Sequence, residues 1–368
     1  MTRPLHLAID LDGDGAHPAA WRHSGRPPGA VFTGSALRAT VTEAERAGFA
    51  LVTFDDGPLP PSGGPNAAGR LEAGTRAAFA ATVTGRIGLA PTLHATTTEP
   101  FHTATQLASL DHASRGRAAW IVGAAADPDA FATIGAEPPA PEALRREVLD
   151  VVEVSRLLWD SWEDDAVIRD AASGRYLDAD KVHHVDFEGA TFTVKGPLIT
   201  PRPPQGQVVV LAPDTLGLGG RADIALVAAP DPGAIEERAG RARETGVPLV
   251  FAEIEVVLGA TAAERAALLD EDTPWPDGGG LRFTGTAEEL TRLLSSLADV
   301  VDGVRLRPAV LAADLPVLAG AVLPALAAAG LHRPPEPGAT LRAALGLPRP
   351  ANRFAAAQAG PRNEVTAR

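Results

Sequence analysis

The chain has no cysteine among its 368 residues, which excludes disulfides, thiolate metal sites and cysteine nucleophiles together. Lysine is almost missing as well: Lys181 and Lys195 stand alone, and arginine carries the remaining positive charge. With 33 basic against 46 acidic residues the formal net charge is −13, so a nucleic-acid surface built from clustered Lys and Arg is not expected. No segment supplies about 18 consecutive uncharged apolar residues. The opening MTRPLHLAIDLDGDG also lacks the apolar core of a secretory signal, so the expectation is a soluble, cytoplasmic protein with no membrane partner. No glycine-rich fingerprint follows the first apolar run, which argues against a dinucleotide-binding sheet. What is present is a 45% apolar composition, enough for a sizeable core.

The apolar residues fall into an alternating pattern. Short β-branched or apolar runs at Leu5–Leu11, Ala50–Phe54, Ile87–Leu93, Ala118–Val122, Val208–Leu211, Ile224–Ala228, Pro248–Val257 and Val301–Leu306 read as strands. Between them, Thr33–Ala47, Leu71–Thr84, Phe101–Ser114, Pro141–Leu158, Pro232–Thr245 and Thr286–Ala298 carry apolar residues at helical spacing. Eight such repeats predict an α/β protein, a single (β/α)8 TIM barrel spanning residues 1–368 as one domain. An insertion at 159–206, with turn signals and short alternating runs, predicts a hairpin excursion before strand five. A helical tail is expected over 312–368, with Val317–Ala329 kinked or split at Pro324.

Several motifs have bland readings. Asp10-Leu11-Asp12-Gly13-Asp14-Gly15 is half of a calcium loop, but the position that needs a bidentate Glu is Trp21, so a solvated acidic loop is expected. His183 and His184 are adjacent and point to opposite faces of a strand, which suits a surface hairpin better than a metal site. Gly217-Leu218-Gly219-Gly220 lacks the Lys-Ser/Thr of a phosphate loop.

Other motifs act together. WDSWEDDA at 159–166, GATFTVKGPL at 189–198 and PRPPQG at 201–206 occur in one order. They follow TTTEP at 96–100 and SLDHASRGR at 109–117, and TLRAALGL at 340–347 closes the set. This combination resembles the nitrilotriacetate, pristinamycin and dibenzothiophene-sulfone monooxygenase branch of the bacterial-luciferase-like flavoproteins, over almost the whole chain. The resemblance implies reduced FMN supplied by a flavin reductase, dioxygen as co-substrate, a small organic substrate and a homodimer paired through helices two and three. It places Asp56, Thr97 and Thr98 beside the flavin ring, and Thr215 and Arg145 nearest its phosphate. His17 and Trp21, with Arg22, would lie on the substrate side. Relatives carry a long insertion after strand seven; here only Gly259–Gly280 remains, so a more open mouth is expected.

The match also breaks. Ile121, Ala124 and Ala125 stand where relatives usually have Asn and a Thr-Ser pair, and Pro141 and Arg145 replace a His and a Tyr. The phosphate-gripping Gly-Ser-Ser turn is replaced by Pro213-Asp214-Thr215, which removes an amide donor and brings in an anion. At roughly 1.5–3 kcal/mol for each lost hydrogen bond to a charged group, flavin affinity is expected to be weakened. Two alternatives stay open: a non-catalytic paralogue acting as a binding or dimer-partner module, and an F420-dependent oxidoreductase.

Overall fold

The computed structural model describes residues 4–59 and 69–358, so the last ten residues of the expected helical tail lie outside the described residues. Eight parallel strands close into a barrel: β1 His6–Asp10, β2 Leu51–Phe54, β3 Gly88–His94, β4 Ala119–Gly123, β5 Val209–Pro213, β6 Ile224–Val227, β7 Leu249–Leu258 and β8 Gly303–Pro308. Each strand pairs with its sequence neighbours, and β8 returns to β1 with His6 opposite Gly303. All eight predicted strands are present. A ninth strand, Leu281–Gly285, was not foreseen; it pairs in parallel with Ile254–Leu258, where the long β7 runs on past the barrel wall.

The helices form where the sequence supplies both a face and a cap. α1 Gly34–Ala47 starts at Thr33, whose hydroxyl accepts from the Ala36 amide, and stops at Gly48 in the left-handed region. α2 Ala73–Val83, α3 Pro100–Ser114, α4 Pro141–Asp160, α5 Pro232–Glu244, α6 Ala262–Asp272 and α7 Ala287–Leu297 follow. A Thr286/Glu289 capping box opens α7. Between β5 and β6 there is no α-helix, only 3-10 turns at Asp214–Leu216 and Gly219–Arg221. The 159–206 insertion holds two antiparallel hairpins, Val167–Asp170 with Arg175–Leu177 and Phe187–Glu188 with Thr193–Val194.

The last barrel helix, Leu311–Ala328, is long and apolar enough to cross a membrane by length and composition alone. Here Leu311, Leu315, Leu318, Val322, Leu323 and Leu326 are buried, and Asp314 is fixed by Arg265 and the Leu258 and Val310 amides. The expected break at Pro324 takes a particular form. Proline lacks the amide that the preceding turn needs, and Leu318–Val322 relaxes into a π-turn in which the Leu323 amide reaches the Leu318 carbonyl.

Beneath the barrel the separated motifs interlock. Asp160 is fully buried; it accepts from Arg202 Nε at 2.9 Å and from Gln207 Nε2 at 2.7 Å. The Ser161 hydroxyl accepts from the Leu198 amide at 3.0 Å, and Trp162 Nε1 donates to the Leu198 carbonyl at 2.8 Å. From the tail, Leu341, Leu345 and Leu347 plug the lumen, while Arg342 meets Asp223 at 3.0 Å beside Arg156. Asp111, Arg115 and Arg117 form a collar under β4 that is held by hydrogen bonds and not by ion pairs. Asp111 accepts from the Ala118 amide and from Gln205, Arg117 donates mainly to backbone carbonyls, and Arg115 ends α3 in the left-handed region.

Candidate active site at the C-terminal mouth of the barrel

The lumen is divided in two. Going up β4, β5 and β6, alternate positions carry the buried side chains Ile121, Leu211 and Leu226. On β1, β2, β7 and β8 the same alternation carries Asp10, Thr53, Glu253 and Arg305, followed one step higher by Asp55, Glu255 and Arg307. Arg305 spans the charged half: Nη2 donates to Asp10 at 2.8 Å, Nε to Thr53 Oγ1 at 2.9 Å, and Nη1 to Glu253. Burial pushes Asp10 toward protonation, but the two arginines and Thr53 outweigh it and hold the carboxyl below its ordinary range. Burial likewise opposes the Arg305 charge, and Asp10 and Glu253 more than restore it.

Arg307 differs from Arg305 in being loosely held. Its Nη1 lies 3.6 Å from Glu255, Nη2 3.7 Å from Asp55 and Nε 3.9 Å from Asp10: ion-pair distances without hydrogen bonds. Its Nε is buried with no hydrogen-bond partner among the described residues. The 10–15 loop is thus not the solvated acidic loop expected, because Asp10 is buried and Asp12 is paired with Arg76 at 2.9 Å. Burial, with Asp10 close by, raises the Asp12 carboxyl above its ordinary value.

On the β3 side, His94 Nε2 donates to the Asp56 carbonyl at 3.1 Å, and the ring lies on Gly123, where a Cβ would come within 2.9 Å of it. The Asp56 carboxylate accepts from the Gly57 and Ala73 amides at 2.8 and 2.6 Å and so anchors the start of α2. Thr97 and Thr98 are half-buried at the mouth. The cap of α3 is Glu99, which accepts from the Phe101 and His102 amides. Thr215 is exposed in the turn after β5, and Arg145 from α4 reaches the same turn, its Nη2 3.0 Å from where a Gly217 Cβ would be. Asp214 is not a free anion: Arg238 grips it with two nitrogens, Nε at 2.9 Å.

The β7–β1 side carries a partial roof. His17 is buried; its Nδ1 accepts from the Ala19 amide at 3.0 Å and its Nε2 points to Asp270 at 3.4 Å, so both nitrogens are engaged, and burial, partly offset by Asp270, lowers the ring's pKa below its ordinary value. His23 and Arg22 meet Asp272 at 2.7 and 3.2 Å. Trp275 packs its ring against His17, and Arg282 stacks over it while donating to Glu255 at 3.1 Å. Trp21 is half-buried beside Arg22. Away from the mouth, His183 meets Glu163 at 2.8 Å, and no group of three metal-ligating side chains exists among the described residues. The sequence reading missed the lumen charges, although Glu253 and Glu255 stand at alternate positions of one predicted strand and Arg305 lies on another, with Arg307 just past its predicted end.

Comparison with known proteins agrees with this architecture. The family model described as luciferase-like monooxygenase matches residues 16–294. N-acetyl-S-(2-succino)cysteine monooxygenase of Bacillus subtilis (strain 168) is 36% identical over 219 residues, 59% of this chain, and the match spans only 50% of that protein's length. One of the pristinamycin IIA synthase subunits of Streptomyces pristinaespiralis is 34% identical over 272 residues, covering 74% of this chain and 84% of that one. EDTA monooxygenase from Chelativorans sp. BNC1 superposes with a TM-score of 0.83 over 94% of this chain and 99% of its own, at 21% identity, a likeness of fold.

Proposed function

From the chain's membership of the luciferase-like monooxygenase family, we infer that it is an oxidoreductase that binds reduced FMN and oxygenates a small organic molecule with dioxygen. The observation that carries the reading is the turn after β5. There Arg145 stands over Gly217 without an acidic partner among the described residues, and Asp214, which would have repelled a phosphate, is neutralised by Arg238. The replaced Gly-Ser-Ser turn therefore does not carry the electrostatic penalty that its sequence implies. Thr215 and the turn amides complete the set of donors for a phosphate. At the ring end, Thr97 and Thr98 offer hydroxyls to flavin acceptors, and Asp56, just past the end of β2, holds the start of α2 in place. When bound, reduced flavin supplies the electrons that activate dioxygen. The protein positions the ring and, through the roof around His17 and Trp275, limits water. The relative named as part of a synthase supports action with a second protein; the expected one is a flavin reductase.

An anaerobic titration with reduced FMN, oxidised FMN and F420 tests this. Reduced FMN is expected to bind most tightly. A preference for F420 would favour the deazaflavin reading, and failure to bind any of the three would leave a barrel acting as a binding or dimer-partner module.

A further inference from the structure

We propose that Asp55 and Arg307 together form a recognition site for an uncharged amide or imide edge, a C=O beside an N–H, on a ligand in the barrel mouth. These two side chains stand 3.7 Å apart, too far to satisfy one another, with 38% and 30% of their surfaces exposed. Arg307 makes no hydrogen bond among the described residues. Asp55 Oδ1 takes the Asp56 amide at 3.1 Å and Thr92 Oγ1 at 3.4 Å, which leaves Oδ2 an open acceptor. A guanidinium donor and a carboxylate acceptor thus face the mouth side by side. This is the complement of a carbonyl next to an N–H, whereas a lone ketone would satisfy only Arg307.

Charge decides against an acid. Arg305 is taken up by Asp10 and Glu253, and Arg282 by Glu255, so a ligand carboxylate at Arg307 would become a further anion where carboxylates already outnumber guanidiniums. The opposite half of the mouth offers Ala124, Pro213 and Ala228, half-buried and apolar, which suits a planar heterocycle with one polar edge. Two sources share this chemistry: the imide edge of the flavin ring, which rests on the function proposed above, and an amide on the organic substrate, which does not.

The test titrates four probes, reduced FMN, riboflavin, uracil and glutarate, into the wild type, Arg307→Met and Asp55→Ala, with melting curves to verify folding. Uracil carries the imide edge without the rest of the flavin, and glutarate is a dianion of similar size. If the flavin is the source, both variants weaken FMN and riboflavin alike, by about tenfold. If the substrate is the source, flavin binding is unchanged and uracil binding is lost in both variants. Asp55→Ala alters a half-exposed side chain outside the core, so it decides the matter even if Arg307→Met does not fold. Should the wild type bind no flavin, the functional reading falls while the uracil arm still decides. Unchanged binding of flavin and uracil in both variants, a wild type that binds neither, or a preference for glutarate overturns the proposal.

Discussion

Asp111 offers a test of the interlock beneath the barrel, because its cost depends on pH. The side chain is fully buried and receives the Ala118 amide at 3.1 Å, Gln205 Nε2 at 2.7 Å and the Gln205 amide at 3.3 Å. Burial outweighs these donors, and the carboxyl is pushed up to about 6 from 3.8. A raised folded value means that the native state binds the proton more strongly than the unfolded chain. The stabilisation is complete below about pH 4 and is lost as pH rises through about 6. At about 1.4 kcal/mol per unit, the loss across that window is of the order of 3 kcal/mol. Asp111→Asn removes the charge and keeps an oxygen for the two Oδ1 bonds, at the cost of the weaker bond to the Gln205 amide, about 1 kcal/mol. Urea unfolding of both proteins between pH 4 and 7.5 isolates the effect, since every other titrating group cancels in the difference. The wild type is expected to lose ground to the variant as pH rises, by up to roughly 3 kcal/mol. Parallel curves would show that Asp111 titrates as in the unfolded chain and that the interlock tolerates its charge.

Three further outcomes are expected. Arg342→Met leaves Asp223 buried with Arg156 as its remaining guanidinium, so unfolding stability should fall by about 3 kcal/mol or more; a loss under 1 kcal/mol in denaturant midpoints would show the tail to be dispensable. Thr97→Val should weaken reduced FMN and riboflavin equally by about 1 kcal/mol, while Arg145→Ala should weaken FMN alone, and calorimetry giving the reverse pattern would move ring and phosphate elsewhere. Sedimentation at micromolar concentration should give a dimer of the 37.9 kDa chain, paired over the small, uncharged outer residues of α2 and α3 around an apolar groove of about 270 Å³; a single monomeric species would make that groove ordinary surface.

The eight strands were legible because a buried parallel barrel needs short apolar runs at regular intervals, and the bounding turns and caps (Thr33, Gly48, Thr286) are written locally. The π-turn and the accessory strand were not, because each depends on what lies beside it: Pro324 in a packed helix, and a β7 longer than its neighbours. Asp214 failed in the same way. Read alone it is an anion at a phosphate turn; Arg238, beyond β6 on α5, turns it into half of an ion pair.

The residues that made the family recognisable are mostly not those that would touch a ligand. Asp160, Ser161, Arg202, Gln205, Arg342 and the leucines of the tail meet beneath the barrel around Gln207, where each hydrogen bond is buried and each loss leaves an unpaired group. Such a lattice tolerates little change, because a substitution in any one of these motifs leaves a buried partner in another unpaired. The mouth is under no comparable constraint. There Arg307 and Asp55 remain without a hydrogen bond to one another, and a ligand can pair with either without breaking the fold. Substitution can therefore redirect the site while the scaffold stays fixed, so that family membership is read from the closed end of this barrel and specificity must be read from the open one.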